Sequence, residues 1–255
     1  YYVDYVLTHK ELELESVDTF ASDKGILYSY KDARKNLNEI KEIITLKNPD
    51  YLVSVNYRYI IPEEIFKIPK YALNIHGSLL PKYRGRTPHV WSIINGEDYS
   101  GITSHVIEKT VDTGDIIDQI SIKIDDDDTG YSLLKKYEKL YPQLLINSLA
   151  KLEKNQPLIK QNDNEASYYG KRTPDMGYID FRKDAKDVIN FIRAQANPYP
   201  GAYYYLVDGR KIIINKVVVD ESAKILPIGV ICLIDKEYHV RCKDAVLKII
   251  DYKID

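Results

Sequence analysis

Tyr51-Leu-Val-Ser-Val55 and Tyr71-Ala-Leu-Asn-Ile75 are two short runs of apolar and β-branched residues, with a brief helix start at Pro62 between them. Runs of this length, the first opened by the breaker Pro49-Asp50, read as buried strands. Upstream, Leu37, Ile40, Ile43 and Ile44 recur at a helical period across Asp32 to Lys47, behind an acidic start. Tyr2 to Thr8 mixes Val, Leu and Tyr and reads as a strand ahead of that helix. Strand, helix, strand, helix, strand at this spacing predicts an α/β unit built on a parallel sheet. Ligands of such sheets sit at the carboxyl ends of the strands, and His76 lies just past one such end.

Downstream the pattern continues and then changes. Thr87-Pro88 starts a helix running towards Asn95-Gly96, and Gly101 to Ile107 and Asp115 to Ile124 alternate as two strands. Asp128-Thr129 caps a long helix reaching Leu152, with Leu133, Leu134, Tyr137, Leu140, Leu144 and Leu145 on its apolar face. Pro142 is expected to kink or split it. The acidic run Asp125 to Asp128 reads as a solvated turn and helix cap, not a metal site. Asn155 to Tyr168 is a polar connection, and a helix over Asp184 to Ala196 stops at Asn197-Pro198. From Gly201 the chain reads as all-β: Ala202 to Val207, a hairpin turn at Asp208-Gly209, Lys211 to Val219, Gly229 to Ile234 and Ala245 to Ile250. The expected division is a catalytic α/β domain over 1–160, a connecting segment and helix over 161–198, and a small β-rich domain over 199–255.

Composition excludes several function classes. The chain has 255 residues, 44% of them hydrophobic, enough for a large buried core. Lys and Arg total 36 against 38 Asp and Glu, so a formal charge of -2 creates no global field to gather nucleic acid or anionic membrane. Apolar runs such as Ile228 to Ile234 are far shorter than the roughly 20 residues of a membrane span. Cys232 and Cys242 form neither a disulfide framework nor a metal-ligand spacing, which makes a reducing cytoplasm the expected setting. Tyrosine occurs 23 times while Met and Trp occur once each, a pattern of coding bias. The chain opens with Tyr1 and its Met is Met176, so the natural start is expected upstream.

Asn74-Ile-His-Gly-Ser-Leu-Leu-Pro-Lys-Tyr-Arg-Gly-Arg-Thr-Pro88 is the segment richest in chemistry. Residues two apart on a strand point to the same side, so Asn74 and His76 present an amide and an imidazole together. An amide NH₂ can donate to charge developing on a carbonyl oxygen, and an imidazole can carry a proton near neutral pH. A carboxylate to orient the His is available in Val111-Asp-Thr-Gly-Asp115, a turn between two strands. Spacing alone leaves both a structural and a catalytic reading of His76 open.

These residues resemble a known family. The run NIHGSLLPKYRGRTP from Asn74, then NGEDYSGITSH from Asn95, then VDTGDII from Val111 is similar to the folate-dependent formyltransferases. The resemblance continues through Asn164 to Pro174 and Arg193 to Ala202, and so covers nearly the whole chain. It implies a Rossmann-like formyltransferase domain with a mostly parallel sheet, followed by a small all-β, OB-like C-terminal domain. It also implies that Asn74, His76 and Asp112 are the catalytic set, acting on 10-formyltetrahydrofolate with no metal. Asn74 and protonated His76 would stabilise the oxyanion, while Asp112 holds His76, raises its basicity and helps relay the amine's proton. Ser78, Leu79 and Leu80 would border the folate, and the backbone around Val111 and Gly114 would meet the pterin. Arg84 either faces the folate or ties down its own loop. The family normally opens with a strand and a helix ahead of Tyr2, and their contacts lie beyond this sequence.

Within that family the match is best to nucleotide-sugar N-formyltransferases, especially those acting on 4-amino-4-deoxy or 4-amino-4,6-dideoxy sugars linked to UDP or dTDP. Lys10, Arg172 and Arg193 are candidates for diphosphate contacts, each with a salt-bridging role as the alternative. Tyr57, Tyr59 and Tyr199 can stack on a base or on folate, or fill the core. His105 either supports the site from behind or is a satisfied core residue. From Tyr199 onward nine Lys and Arg stand against eight Asp and Glu, weak support for a tRNA acceptor. Methionyl-tRNA formyltransferase is therefore the alternative acceptor class, and formyltetrahydrofolate hydrolase the alternative reaction. The sugar reading implies a cytoplasmic enzyme of O-antigen or lipopolysaccharide biosynthesis, with no nucleic-acid partner and no membrane span. A homodimer is compatible with it, the C-terminal strands being able to supply the interface.

Overall fold

The computed structural model describes residues 1–10, 17–222 and 225–255. The elements in order begin with β1 (Val6–Leu7), α1 (Val17–Asp23), β2 (Tyr28–Ser29), α2 (Leu37–Lys47), β3 (Tyr51–Val55), α3 (Glu63–Phe66) and β4 (Tyr71–His76). There follow β5 (Arg84–Gly85), α4 (Pro88–Ile94), β6 (Tyr99–Val106), β7 (Ile116–Lys123), α5 (Gly130–Glu153) and β8 (Tyr168–Tyr169). The chain closes with α6 (Ala185–Ala194), β9 (Ala202–Tyr205), β10 (Lys211–Val219), β11 (Ile231–Ile234), β12 (Glu237–Arg241) and β13 (Val246–Ile254). It divides into two units: residues 1–76, 104–118 and 147–161, and residues 77–103, 119–146 and 162–255.

In the first unit, β3 and β4 pair in parallel along their length, from Tyr51 opposite Tyr71 to Val55 opposite Ile75. Strands β3, β4, β6 and β7 form one sheet in that order, of which β3, β4 and residues 104–106 and 116–118 of β6 and β7 belong to this unit. The Ile107 N–H donates to the Ala72 carbonyl and Val106 N–H to Asp115, which anchors the far end of β6 beside β4. Ile40 on α2 is fully buried with Ala33 and Ile65, and Leu37, Ile44 and Leu52 pack around them. The apolar stripe read from the sequence is thus the face that covers the strands.

Two boundaries in this unit differ from the sequence reading. The first strand spans Val6–Leu7 only, because its partner β2 offers pairing at two positions. Helix α2 starts at Leu37 and not at Asp32. The Asp32 carboxylate accepts from the Arg34 N–H and from Nε and Nη2 of its guanidinium, holding a turn in place of a helical start.

The second unit contains a five-stranded antiparallel sheet of order β11-β12-β13-β10-β9. Helix α6 buries Val188 and Ile192 against Ile179, Phe181, Ile212, Ile214, Val240 and Leu247. Burying side chains of this kind contributes on the order of 1.5–3 kcal/mol each, so α6 is bound to the sheet mainly by apolar area. The helix begins at Ala185, whose N–H is capped by Asp244 and not by the adjacent Asp184. Strand β12 was not read from the sequence, and it completes a hairpin with β11.

Helix α5 runs without interruption from Gly130 to Glu153, with Pro142 inside it. Pro142 is exposed, so the carbonyl it leaves without an amide partner can turn to water. Thr129 and Ser132 exchange side-chain and backbone hydrogen bonds of 2.9 and 3.1 Å at the helix start. Lys136 reaches both Asp125 and Asp128. The acidic run is therefore a turn and a cap. Among the described residues no helix is long and apolar enough to cross a membrane, and no His, Cys, Asp or Glu group is arranged to hold a metal ion.

Candidate active site

Strand alternation places Asn74 and His76 on one side of β4, and His76 is buried. The register is held by β3, with Ser54 opposite Asn74. Asp112 arrives from the 111–115 turn, where its own backbone is left-handed, φ +57°. Asp tolerates that conformation better than most residues. Two features fix the turn. The buried Gln161 amide donates to the carbonyls of Asp112, at 2.9 Å, and Gly114, at 2.7 Å. Gly114 lies so close to Val106 that any side chain there would collide with the Val106 carbonyl.

The four polar side chains form one network. Asp112 Oδ2 lies 3.5 Å from His76 Nδ1, and Oδ1 lies 3.5 Å from His105 Nε2. His105 Nε2 is 3.1 Å from Asn74 Nδ2, and His105 Nδ1 is 2.8 Å from the Val106 carbonyl. A carbonyl only accepts, so Nδ1 carries a proton, and in the neutral ring Nε2 accepts from Asn74. The Asn74 amide is thereby oriented with its nitrogen towards His105, leaving its second N–H for another acceptor. At 3.5 Å neither Asp112 contact is a well-formed hydrogen bond, and each becomes an ion pair only when the facing imidazole is protonated. An amide donor, two imidazoles and a carboxylate can stabilise a developing oxyanion and move a proton.

The remaining candidates have separate environments. In the first unit, Val111 is exposed at the turn, and Lys10 is exposed after β1. Tyr57 donates its hydroxyl to the Lys31 carbonyl and stacks on His9 at 6.0 Å, with Tyr59 edge-on. Lys10 and Tyr57 take no part in the Asp112 network. In the second unit, the Ser78 hydroxyl donates to the Lys82 carbonyl, and Thr103 Oγ1 donates to Ser78 and accepts from the Leu80 N–H. Leu79 packs against Gly101. Arg84 is buried, and its guanidinium meets Asp163 at 2.9 Å and the Tyr168 hydroxyl at 2.5 Å, so it ties its loop to the 163–168 segment.

Arg193 donates to the carbonyls of Asp125 and Asp128 and to Asn190. Burial lowers its pKa while the acidic run opposes that shift. Tyr199 meets His89 Nε2 at 2.9 Å, and burial pushes its hydroxyl up to about 12. Arg172 is half-buried between aromatic rings. His105, for which the sequence leaves a supporting and a core role open, joins the Asn74 and Asp112 side chains. Gln161 was not singled out from the sequence, since one amide in a polar connection carries no signal of its own.

Residues 5–149 match the formyl transferase family and residues 171–255 its C-terminal domain. The chain is 40% identical over 240 residues to the bifunctional polymyxin resistance protein ArnA of Wigglesworthia glossinidia brevipalpis, covering 86% of this chain and 35% of that protein. It therefore spans about a third of that relative's length. It is 36% identical over 247 residues to a methionyl-tRNA formyltransferase of Caldanaerobacter subterraneus subsp. tengcongensis, covering 94% of this chain and 78% of the relative. Among solved structures it resembles WlaRD, a sugar 3N-formyl transferase crystallised with dTDP and 5-N-formyl-THF. The TM-score is 0.69 at 25% identity, over 92% of this chain and 81% of that one.

Proposed function

The chain belongs to the formyl transferase family, and from that premise we propose that it moves a formyl group from 10-formyltetrahydrofolate to the amino group of a nucleotide-linked 4-amino sugar. The observation that carries the reaction class is the set of half-buried Asn74 and buried His76, His105 and Asp112 in one unit. It holds no thiol or hydroxyl nucleophile, which suits direct attack by an amine over a covalent enzyme intermediate. Bound 10-formyltetrahydrofolate supplies an activated one-carbon acyl group. Asn74 donates an N–H to the formyl oxygen as negative charge develops there. His76, with Nδ1 turned to Asp112, presents Nε2 to the reacting atoms and carries a proton between them. Asp112 steadies the charged imidazole. Val111 is exposed at the turn and is available to the pterin.

The acceptor is read from two facts. The chain from Tyr199 onward has nine basic against eight acidic residues, not the excess a tRNA-binding face calls for. WlaRD acts on a sugar and was crystallised with dTDP. Because WlaRD is a 3N-transferase, the position of the amine is the finest part of the reading. Methionyl-tRNA is the second reading, favoured by the relative that this chain covers over 78% of its length. Products of sugar formylation enter surface-polysaccharide assembly, a cytoplasmic synthesis.

Formyl transfer to a panel of dTDP-4-amino-4,6-dideoxyglucose, UDP-4-amino-4-deoxy-arabinose, a dTDP-3-amino sugar and charged methionyl-tRNA tests the proposal. Turnover with a 4-amino sugar is expected. Turnover confined to the 3-amino sugar corrects the position, and turnover confined to tRNA overturns the acceptor class. Formate release without any acceptor would favour a hydrolase.

A further inference from the structure

The 111–115 turn is tied to its surroundings by local bonds on either side. The Thr113 hydroxyl donates to the Thr110 carbonyl at 3.0 Å, and the Val106 N–H donates to the Asp115 carbonyl at 3.0 Å. Its interior is held from far along the chain. Gln161 Nε2 donates to the carbonyls of Asp112 and Gly114, 49 and 47 residues away. Carbonyls only accept, so the amide nitrogen faces the turn and gives both of its protons there. Asp112, Gly114 and Gln161 are all buried. Position 161 is placed in its turn by Ile159, which exchanges N–H···O bonds of 2.8 and 2.9 Å with Ile116, the first residue of β7. One short stretch thus pairs with the chain leaving the turn and clamps the turn's interior.

The Asp112 carboxylate divides its two oxygens between His76 and His105, each at 3.5 Å. Asp carries that carboxylate on a single methylene, too short to absorb a shift of its own backbone. Rotating the peptide planes at 112 and 114 would therefore move the charge relative to both rings at once. The left-handed φ of +57° is not a conformation that a non-glycine residue settles into by preference, so a tie from outside the turn is needed to keep it. In buried surroundings the attraction between a carboxylate and an imidazolium depends steeply on their separation.

We propose that Gln161 is a positioning residue for the reaction: by gripping the Asp112 and Gly114 carbonyls it keeps the Asp112 carboxylate set against His76 and His105. Its part in turnover rests on the formyl-transfer reading above. Its grip on the carboxylate does not.

Heteronuclear NMR of the imidazole rings tests the grip without any formyl transfer, and the chain has only five histidines to assign. Asp112→Asn gives the reference spectrum for His76 and His105 with no carboxylate beside them. Gln161→Leu keeps the bulk of the side chain and removes both donors, and is expected to move the two ring signals towards that reference. With Asp112→Asn already present, the same substitution should move them little further. In steady-state kinetics Gln161→Leu should lower kcat by roughly 10–100-fold, but by less than about twofold in the Asp112→Asn background. A purely structural Gln161 would lower the melting temperature and cost the same factor in either background. Thermal melting checks that each variant folds. Should Gln161→Leu not fold, Gln161→Asn, whose amide is one methylene short, is read in the same way. Ring signals like those of the wild type in a folded variant, or an undiminished kcat loss on top of Asp112→Asn, overturn the proposal. Should the acceptor panel fail, the ring signals still decide whether Gln161 holds the carboxylate, so the two failures are told apart.

Discussion

Asn74 Nδ2 and His105 Nε2 lie 3.1 Å apart, and the far side of the same imidazole is fixed on the Val106 carbonyl at 2.8 Å. His105 therefore controls which end of the Asn74 amide faces away from it. Were the amide to turn, its oxygen and not its N–H would meet a developing oxyanion, and attraction would become repulsion. His105→Phe keeps a planar ring but removes the acceptor. We expect kcat to fall by roughly 10–100-fold with KM for the folate changed little, because misorientation acts in the transition state. Steady-state kinetics check this. An unchanged kcat would show that His105 does not orient the amide.

Asp112 stands in the left-handed region at φ +57°, where Asn is tolerated as well as Asp. Asp112→Asn thus retains shape and backbone preference while removing the charge 3.5 Å from His76. Turnover is expected to drop by about 10²–10⁴-fold, with a melting temperature close to that of the wild type. His76→Ala should lose turnover to a similar degree, and the double variant should be little worse than either single one, since the two act as a unit. Additive losses would separate their roles.

Gly114 is required by space, not by its φ. A methyl group there would overlap the Val106 carbonyl, which is backbone and cannot rotate away. Gly114→Ala should cost ~1–3 kcal/mol of stability, the usual range for overpacking. It should also shift the turn that carries Asp112 and lower kcat by more than about tenfold. Urea unfolding and kinetics on the same preparation test both parts. Full activity in a stable variant would mean that the turn accommodates the methyl without moving Asp112.

Sequence period recovers what local chemistry specifies. Strand β3 begins and ends where its apolar run does, and β4 extends one residue further, to His76. The hairpin at Asp208-Gly209 was legible because Gly209 supplies the positive φ that its turn needs. The β11-β12 hairpin was not. Its turn residues, Asp235 and Lys236, both adopt positive φ without a glycine, so the usual mark of such a turn is missing. The same division holds in the site. Asn74 and His76 share a strand, and strand parity brings them together. Asp112, His105 and Gln161 meet them only through the folding of distant segments, and no spacing rule encodes that. Resemblance found Asp112, whereas the Gln161 clamp came from the geometry.

The two cysteines should behave differently with pH. Cys242 is fully buried, and burial, with a smaller contribution from the charge of Asp244, pushes its thiol from 9.0 up to about 12. Cys232 is only half-buried, with its sulfur 3.7 Å from the Val230 carbonyl. Thiolate is the reactive form, so at mildly alkaline pH a thiol reagent should label Cys232 in the folded protein and Cys242 at least about a hundredfold more slowly. Both should label in denaturant. Above pH 9.0 an unfolded Cys242 ionises while the folded one keeps its proton. The unfolded state then binds fewer protons, and stability falls as pH rises towards the folded value. Cys242→Ala lowers stability at neutral pH through the lost packing, yet the gap to the wild type should narrow as pH climbs past 9.0, since the variant has no thiol to ionise. A constant gap across that window, or equal labelling of both thiols in the native state, would show that the Cys242 thiol is open to water.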